Sequence, residues 1–235
     1  MPVATTRDRL RAELTAEIAD AARRQLAEVG AAALSLRAVA REVGMVSSAV
    51  YRYFPSRDDL LTRLIIDGYD AIGAAAEAAD DESTPPRQRW VAVGRAVRGW
   101  ARAHPHEYAL LYGSPVPGYA APPDTIPAAT RVGLVLGGIL RAAAEAGDLV
   151  APPSPRPPDL VQPRAVEYLG GDHPAIDDDV RARAVLAWSA LFGAVTFELF
   201  GHLVGTVDDL DRWFDAMMDV QITAVGFREP GRRDD

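Results

Sequence analysis

The chain has 235 residues, 49% of them hydrophobic, with 25 basic against 33 acidic side chains, a formal net charge of −8 and no cysteine. That length buries about 70% of the unfolded surface, enough for one or two helical domains. The absence of cysteine excludes disulfides, thiol catalysis and thiolate metal sites, and the longest charge-free run, residues 184–197, is short for a membrane span.

The charge is unevenly divided. Residues 1–63 hold 10 arginines against 8 acids, a balance of +2, and the remaining 172 residues hold 15 against 25, a balance of −10. A mildly basic head on an acidic body suits a protein that meets nucleic acid with one face only. Arg7, Asp8, Arg9 and Arg11 leave no apolar signal segment at the N-terminus, which predicts a cytoplasmic protein.

A first helix is predicted over about Arg7–Val29, with Leu10, Leu14, Ile18, Ala22 and Leu26 four residues apart and Gly30 as its stop. Leu36, Val39, Ala40 and Val43 then mark one face of a second helix, and Gly44 stands where a left-handed cap is wanted. A third helix is predicted to begin near Ser47, bury Val50 and Phe54, and end before Pro55. Ser56 and Asp59 form a cap for a fourth, starting at Arg57, with Leu60, Leu61, Leu64, Ile65 and Ile72 turned inward. The second and third helices make a helix-turn-helix whose natural target is the DNA major groove.

The residue types fit that target. Ser47, Ser48 and Ala49 are small enough for close approach, and Arg52, one turn on, suits bidentate contact with guanine. Tyr51 and Tyr53 carry hydroxyls that reach phosphates, and Arg37 and Arg57 are placed to neutralise them.

Beyond a polar break at residues 80–86, a helix from Arg87 to about Ala103 is predicted to face Trp90, Val93, Val97 and Trp100 inward. A short helix covers His106–Tyr112, residues 113–123 form a loop, and one long helix runs from Asp124 to Gly147. Pro152, Pro153, Pro155, Pro157 and Pro158 predict an extended segment. Two last helices, about Asp177–Leu203 and Asp208–Phe227, are apolar on more than one face, with Gly193 and Gly201 as points of close approach. That pattern predicts a homodimer through a four-helix bundle, two helices from each chain, with the two-fold symmetry a palindrome requires.

The run from Leu36 to Leu61, Leu-Arg-Ala-Val-Ala-Arg-Glu-Val-Gly-Met-Val-Ser-Ser-Ala-Val-Tyr-Arg-Tyr-Phe-Pro-Ser-Arg-Asp-Asp-Leu-Leu, resembles the TetR family of bacterial transcriptional regulators. The post-turn basic residue, commonly lysine in that family, is Arg57 here. More weakly, His104–Tyr119 and Trp188–Gly193 resemble the subgroup whose regulatory domain carries a Trp-His-Gly element, although no histidine precedes Gly193. The resemblance implies an all-α fold, with a three-helix DNA-binding domain over residues 1–56 and a helical ligand-binding and dimerisation domain over 57–235. It implies that Ser47, Ser48, Ala49, Tyr51 and Arg52 face the groove while Arg37, Tyr53 and Arg57 hold phosphate.

It also implies a repressor released from a palindromic operator by a small-molecule effector, with double-stranded DNA and a second copy of the chain as partners and no membrane. The aromatic set Trp100, Tyr108, Tyr112, Tyr119, Trp188 and Phe192 offers a lining for the effector, or plain core. No cofactor is expected. His104 and His106 flank a proline and share no helix face, so no metal site is read there, and no residues suggest catalysis. Glu198 is either a buried acid or exposed at a bundle edge. The alternative is a helical enzyme or small-molecule carrier that retains the DNA-binding head.

Overall fold

The computed structural model describes residues 5–150, 161–162 and 165–228; the proline segment at 152–158 lies outside them. Among the described residues there are ten α-helices and no sheet, only a single antiparallel bridge between Leu149 and Phe227. The helices are α1 (Thr6–Val29), α2 (Leu36–Glu42), α3 (Ser47–Val50), α4 (Arg57–Ala79), α5 (Pro86–Ala103), α6 (Pro105–Tyr112), α7 (Ile126–Ala129), α8 (Arg131–Glu145), α9 (Asp178–Leu199) and α10 (Leu210–Val225).

The chain packs as two compact units. The first holds the residues up to Tyr69 together with His104–Ala128, and the second holds Asp70–Ala103 together with the residues from Ala129 on. These units do not coincide with a division at 56/57, because Leu60, Leu61 and Leu64 lie beyond it and bury in the first unit's core.

In the first unit, α1 opens with a reciprocal cap. The Asp8 amide donates to the Thr5 hydroxyl, and the Thr5 amide donates to the Asp8 carboxylate at 3.1 Å. Ile18, Ala22, Leu34, Leu36, Val39, Val50, Phe54 and Leu61 form one apolar cluster, so α1, α2, α3 and the start of α4 share a single core. The four-residue spacing of α1 holds only over its second half: Leu10 is 56% exposed, because the core cluster reaches no further toward the N-terminus than Ile18.

In the second unit, α5 is the central element and packs against α8, α9 and α10. Trp90, Val93, Val97 and Trp100 are all buried, together with Ile139, Leu140, Leu191, Val195, Phe214 and Met218. The expected helix from Asp124 to Gly147 is interrupted at Thr130, giving α7 and α8. Arg131, in the first turn of α8, donates to Asp70 at 2.8 Å and Glu77 at 2.6 Å on α4. Gly137 has a packing role, since a Cβ there would collide with the Tyr168 carbonyl oxygen. The absence of that atom lets the 3₁₀ turn Glu167–Leu169 lie against α8.

Asp177 caps α9, accepting from the Val180 amide at 2.9 Å. By length and composition α9 is apolar enough to cross a membrane, although its charge-free stretch is short. Its N-terminal end is built for a protein core, with Arg181 and Arg183 buried and paired to Asp178 and Asp179. Glu198 proves to be a buried acid. Arg98 Nε and Nη2 donate to its two oxygens at 2.7 and 2.8 Å, and the same guanidinium reaches Asp211 and lies 4.8 Å from the centre of the Phe214 ring. Gly201 is not a point of helix approach. With φ +78° it turns the chain just past the end of α9.

The exposure of α1 and the burial of α4 can be separated by mutation. Leu61→Ala is expected to cost about 2–5 kcal/mol in urea unfolding followed by circular dichroism. Leu10→Ala should stay within about 0.5 kcal/mol. Equal losses would contradict the burial pattern.

Candidate nucleic-acid interface

The turn between α2 and α3 is made by the backbone. Gly44 takes φ +67°, the Met45 amide donates to the Ala40 carbonyl at 2.9 Å, and the Gly44 amide donates to the Arg41 carbonyl. That conformation favours glycine because a Cβ would crowd the neighbouring carbonyl. α3 itself is only four residues long, and turn-type bonds carry the chain on, from the Tyr53 and Phe54 amides to the Val50 carbonyl at 2.9 and 3.0 Å. Val50 and Phe54 point inward and are buried.

With those two fixed inside, Ser48, Tyr51 and Arg52 are left exposed, and Ser47, Ala49 and Tyr53 half-buried. Arg37 is exposed on the first turn of α2. Two further residues join this face without having been singled out from the sequence. Val46, the residue that opens α3, is 71% exposed and extends the small-residue tip with an apolar side chain. Arg11 reaches from α1, its guanidinium 5.4 Å from the centre of the Tyr53 ring and its Nη2 donating to the Arg52 carbonyl at 3.4 Å. Neither carries a sequence signal, since an exposed valine reads as core and an arginine of α1 as solvated surface.

Arg57 is held more tightly than a solvated phosphate contact would be. Its Nη2 donates to the Ala31 and Ala32 carbonyls at 2.7 and 3.1 Å, tying the start of α4 to the 3₁₀ turn after α1. The capping pair forms beside it, with the Ser56 hydroxyl donating to Asp59 at 2.6 Å and accepting from the Asp59 amide.

The aromatic set is divided between the two units. Tyr108, Tyr112 and Tyr119 belong to the first. There Tyr108 and Tyr112 lie 5.0 Å apart, Tyr69 meets Tyr112 edge-on at 5.9 Å, and Tyr119 hydrogen-bonds Thr62 at 2.9 Å. Burial pushes the Tyr69 and Tyr112 phenols above the ordinary range. Trp100, Trp188 and Phe192 belong to the second unit, where Trp188 and Phe192 are 5.2 Å apart. A cavity of ≈110 Å³ opens in that unit, lined by Trp188 together with Trp90, Leu136, Leu140, Tyr168 and Val185 among others. Among the described residues no three histidine or acidic side chains are grouped as metal ligands.

Known proteins share both parts of the chain. Residues 18–64 match the family of bacterial regulatory proteins designated tetR, and residues 90–221 match the tetracyclin repressor-like C-terminal domain. The HTH-type transcriptional regulators Rv1816 of Mycobacterium tuberculosis and Mb1846 of Mycobacterium bovis are each 44% identical to it over 202 residues, 82% of this chain and 83% of theirs. The solved regulatory protein SCO4313 superposes with a TM-score of 0.72 at 32% identity, covering 93% of this chain and 100% of that one. PfmR, a TetR family transcriptional regulator from Thermus thermophilus, shares the fold, with a TM-score of 0.56 at 16% identity over 88% of this chain and 97% of its own.

Arg57→Ala removes both bonds to the Ala31 and Ala32 carbonyls and is expected to cost about 1–2 kcal/mol in chemical unfolding. Arg52→Ala, on the open face, should cost less than about 0.5 kcal/mol. A neutral Arg57 variant would contradict its tie to the 3₁₀ turn.

Proposed function

Because the chain belongs to the TetR family and is a DNA-binding transcriptional regulator, we propose that it is a repressor holding a palindromic operator through two copies of α3, released by a small-molecule effector. The observation that carries this reading is the division of α3 into a buried side, Val50 with Phe54, and an open side of Ser48, Tyr51 and Arg52. Ser47, Ser48, Ala49, Tyr51 and Arg52 meet base edges, and Val46 adds an apolar contact suited to a thymine methyl. Arg37, Tyr53 and Arg57 hold phosphate, Arg57 from a guanidinium already anchored on two carbonyls. Arg11 steadies Tyr53 from behind. On this reading residues 1–56, with Arg57 beside them, read DNA, and the rest of 57–235 dimerises and binds the effector.

The dimer forms through α9 and α10. Leu186, Ala190, Gly193 and Phe197 fall at i, i+4, i+7 and i+11 of α9, and Leu186 and Phe197 are 62% and 53% exposed. Trp213, Ala216, Val220 and Ala224 make a matching stripe on α10, where Val220 is 69% exposed. Two adjacent helices with apolar stripes turned to water support a second copy as the cover. Nothing within 4 Å would meet a Cβ at Gly193, consistent with a close approach reserved for the partner. As a regulator of transcription the protein works beside the chromosome, in the cytoplasm, and no membrane partner is proposed.

Arg52→Ala is expected to cost about 1–3 kcal/mol, concentrated at one operator position. Arg37→Ala should instead weaken all duplexes alike and lower the salt slope of binding by about one. Titrations at several salt concentrations read both, and exchanged phenotypes would contradict the assignments. Phe197→Glu is expected to give a monomer in sedimentation with loss of operator binding; a stable dimer would place the interface elsewhere.

A further inference from the structure

The first turns of α1 stand clear of the core to which its second half belongs. Residues 5–13 are exposed on every side, and full burial begins only at Ile18. The segment is nonetheless helical from Thr6, closed by the reciprocal cap of Thr5 and Asp8. Among the described residues, the one hydrogen bond that leaves it is from Arg11 to the Arg52 carbonyl at 3.4 Å.

The direction of this segment follows from the helical period. Arg7, Arg11, Ile18 and Ala22 fall at i, i+4, i+11 and i+15, which is one face of α1. At Ile18 and Ala22 that face lies in the core with Val39, Val50 and Phe54. At Arg11 it has reached the surface, at the Arg52 carbonyl and with the guanidinium 5.4 Å from the centre of the Tyr53 ring. Arg7 lies on the same face about 6 Å further out along the axis, beyond the level of Tyr53. Its side chain is exposed, and among the described residues neither Arg7 nor Arg11 is paired with a carboxylate. The adjacent acid, Asp8, is engaged by the Thr5 hydroxyl at 2.6 Å. Residues 7–11 hold three arginines and one acid, a balance of +2. One face is thus apolar where it packs and arginine where it emerges, and it emerges beside the residues read as facing DNA.

We propose that Arg7 is a further DNA contact, meeting a backbone phosphate beyond the one held by Tyr53, so that α1 carries the phosphate grip past the end of α3. The inference rests on the reading of α3 and Tyr53 as the DNA side of the molecule. A duplex is the occupant because the patch is cationic and continuous with that side through Arg11. Phosphate is the group it meets because α1 is a full helix set beside α3. It flanks the groove that α3 enters, where the strand offers its phosphates and sugars.

Binding of the full-length protein to a pool of mixed-sequence duplexes, titrated at several salt concentrations, reads this contact. Arg7→Ala is expected to weaken the whole pool alike and to lower the salt slope by about one per protomer bound. Its melting temperature should not change, because the side chain is exposed. Arg9→Ala removes the same charge from the far side of α1 and is expected to leave the slope where it was. An unchanged slope in Arg7→Ala would overturn the proposal. Equal losses in the two variants would overturn it as well, since net charge and not position would then be the cause. A weakened self-association of Arg7→Ala in sedimentation, with the slope per protomer unaltered, would assign this face to a second copy. The base preference of Arg52→Ala in duplex selection tests the reading of α3 separately. A lost preference there with Arg7→Ala neutral keeps that reading and removes α1 from it. A lowered slope in Arg7→Ala with the preference of Arg52→Ala intact keeps the α1 contact and sinks readout by Arg52.

Discussion

Val50 and Phe54 are the side chains that fix the proposed reading surface on a helix of four residues. So short a helix has no stability of its own, and it holds its shape because these two residues are part of the cluster containing Ile18, Val39 and Leu61. Once they are inside, the helical period leaves Ser48, Tyr51 and Arg52 no direction but outward. The glycine turn at Gly44 sets where that helix begins, and the turns that carry the chain on from Val50 stop before Pro55. The proposed DNA-facing surface thus follows from apolar packing on its far side.

The same logic runs through the second unit with a different result. α5 is enclosed on the side that carries Trp90, Val93 and Val97, and Arg98 satisfies Glu198 among these apolar neighbours. A buried ion pair of this kind is held by its geometry and is costly to break from one side. α9 and α10 bury Leu191, Val195, Phe214 and Met218 and still present apolar stripes to water. Among the described residues nothing covers those stripes, which supports the symmetric partner proposed above. On the proposed reading, dimerisation and DNA recognition are linked by symmetry.

Much of this was legible in the sequence, and the failures have physical causes. The head could be read because the spacing of Leu36, Val39 and Ala40, one glycine, one proline and the Ser56–Asp59 cap each impose a local constraint that neighbouring residues do not override. The spacing alone did not show that Leu10 is exposed, because it continues along the helix beyond the core that begins at Ile18. Gly201 was misread because a glycine serves a turn and a close helix contact equally well, and spacing alone does not separate the two. Glu198 was left open because its partner Arg98 is one hundred residues away. Of the aromatic set only Trp188 is on the wall of the cavity in the second unit, and Trp90, read as core, joins it there, because core and pocket wall are lined by the same residue types.

The central claim is that two copies of α3 read a symmetric duplex. Selection from randomised duplexes on the purified protein at fixed moderate salt tests it most directly. The account expects enrichment of a two-fold symmetric site with half-sites about one helical turn apart, or a multiple of it. Enrichment of a single asymmetric half-site would contradict the dimeric reading, and no enrichment above random sequence would contradict readout by α3.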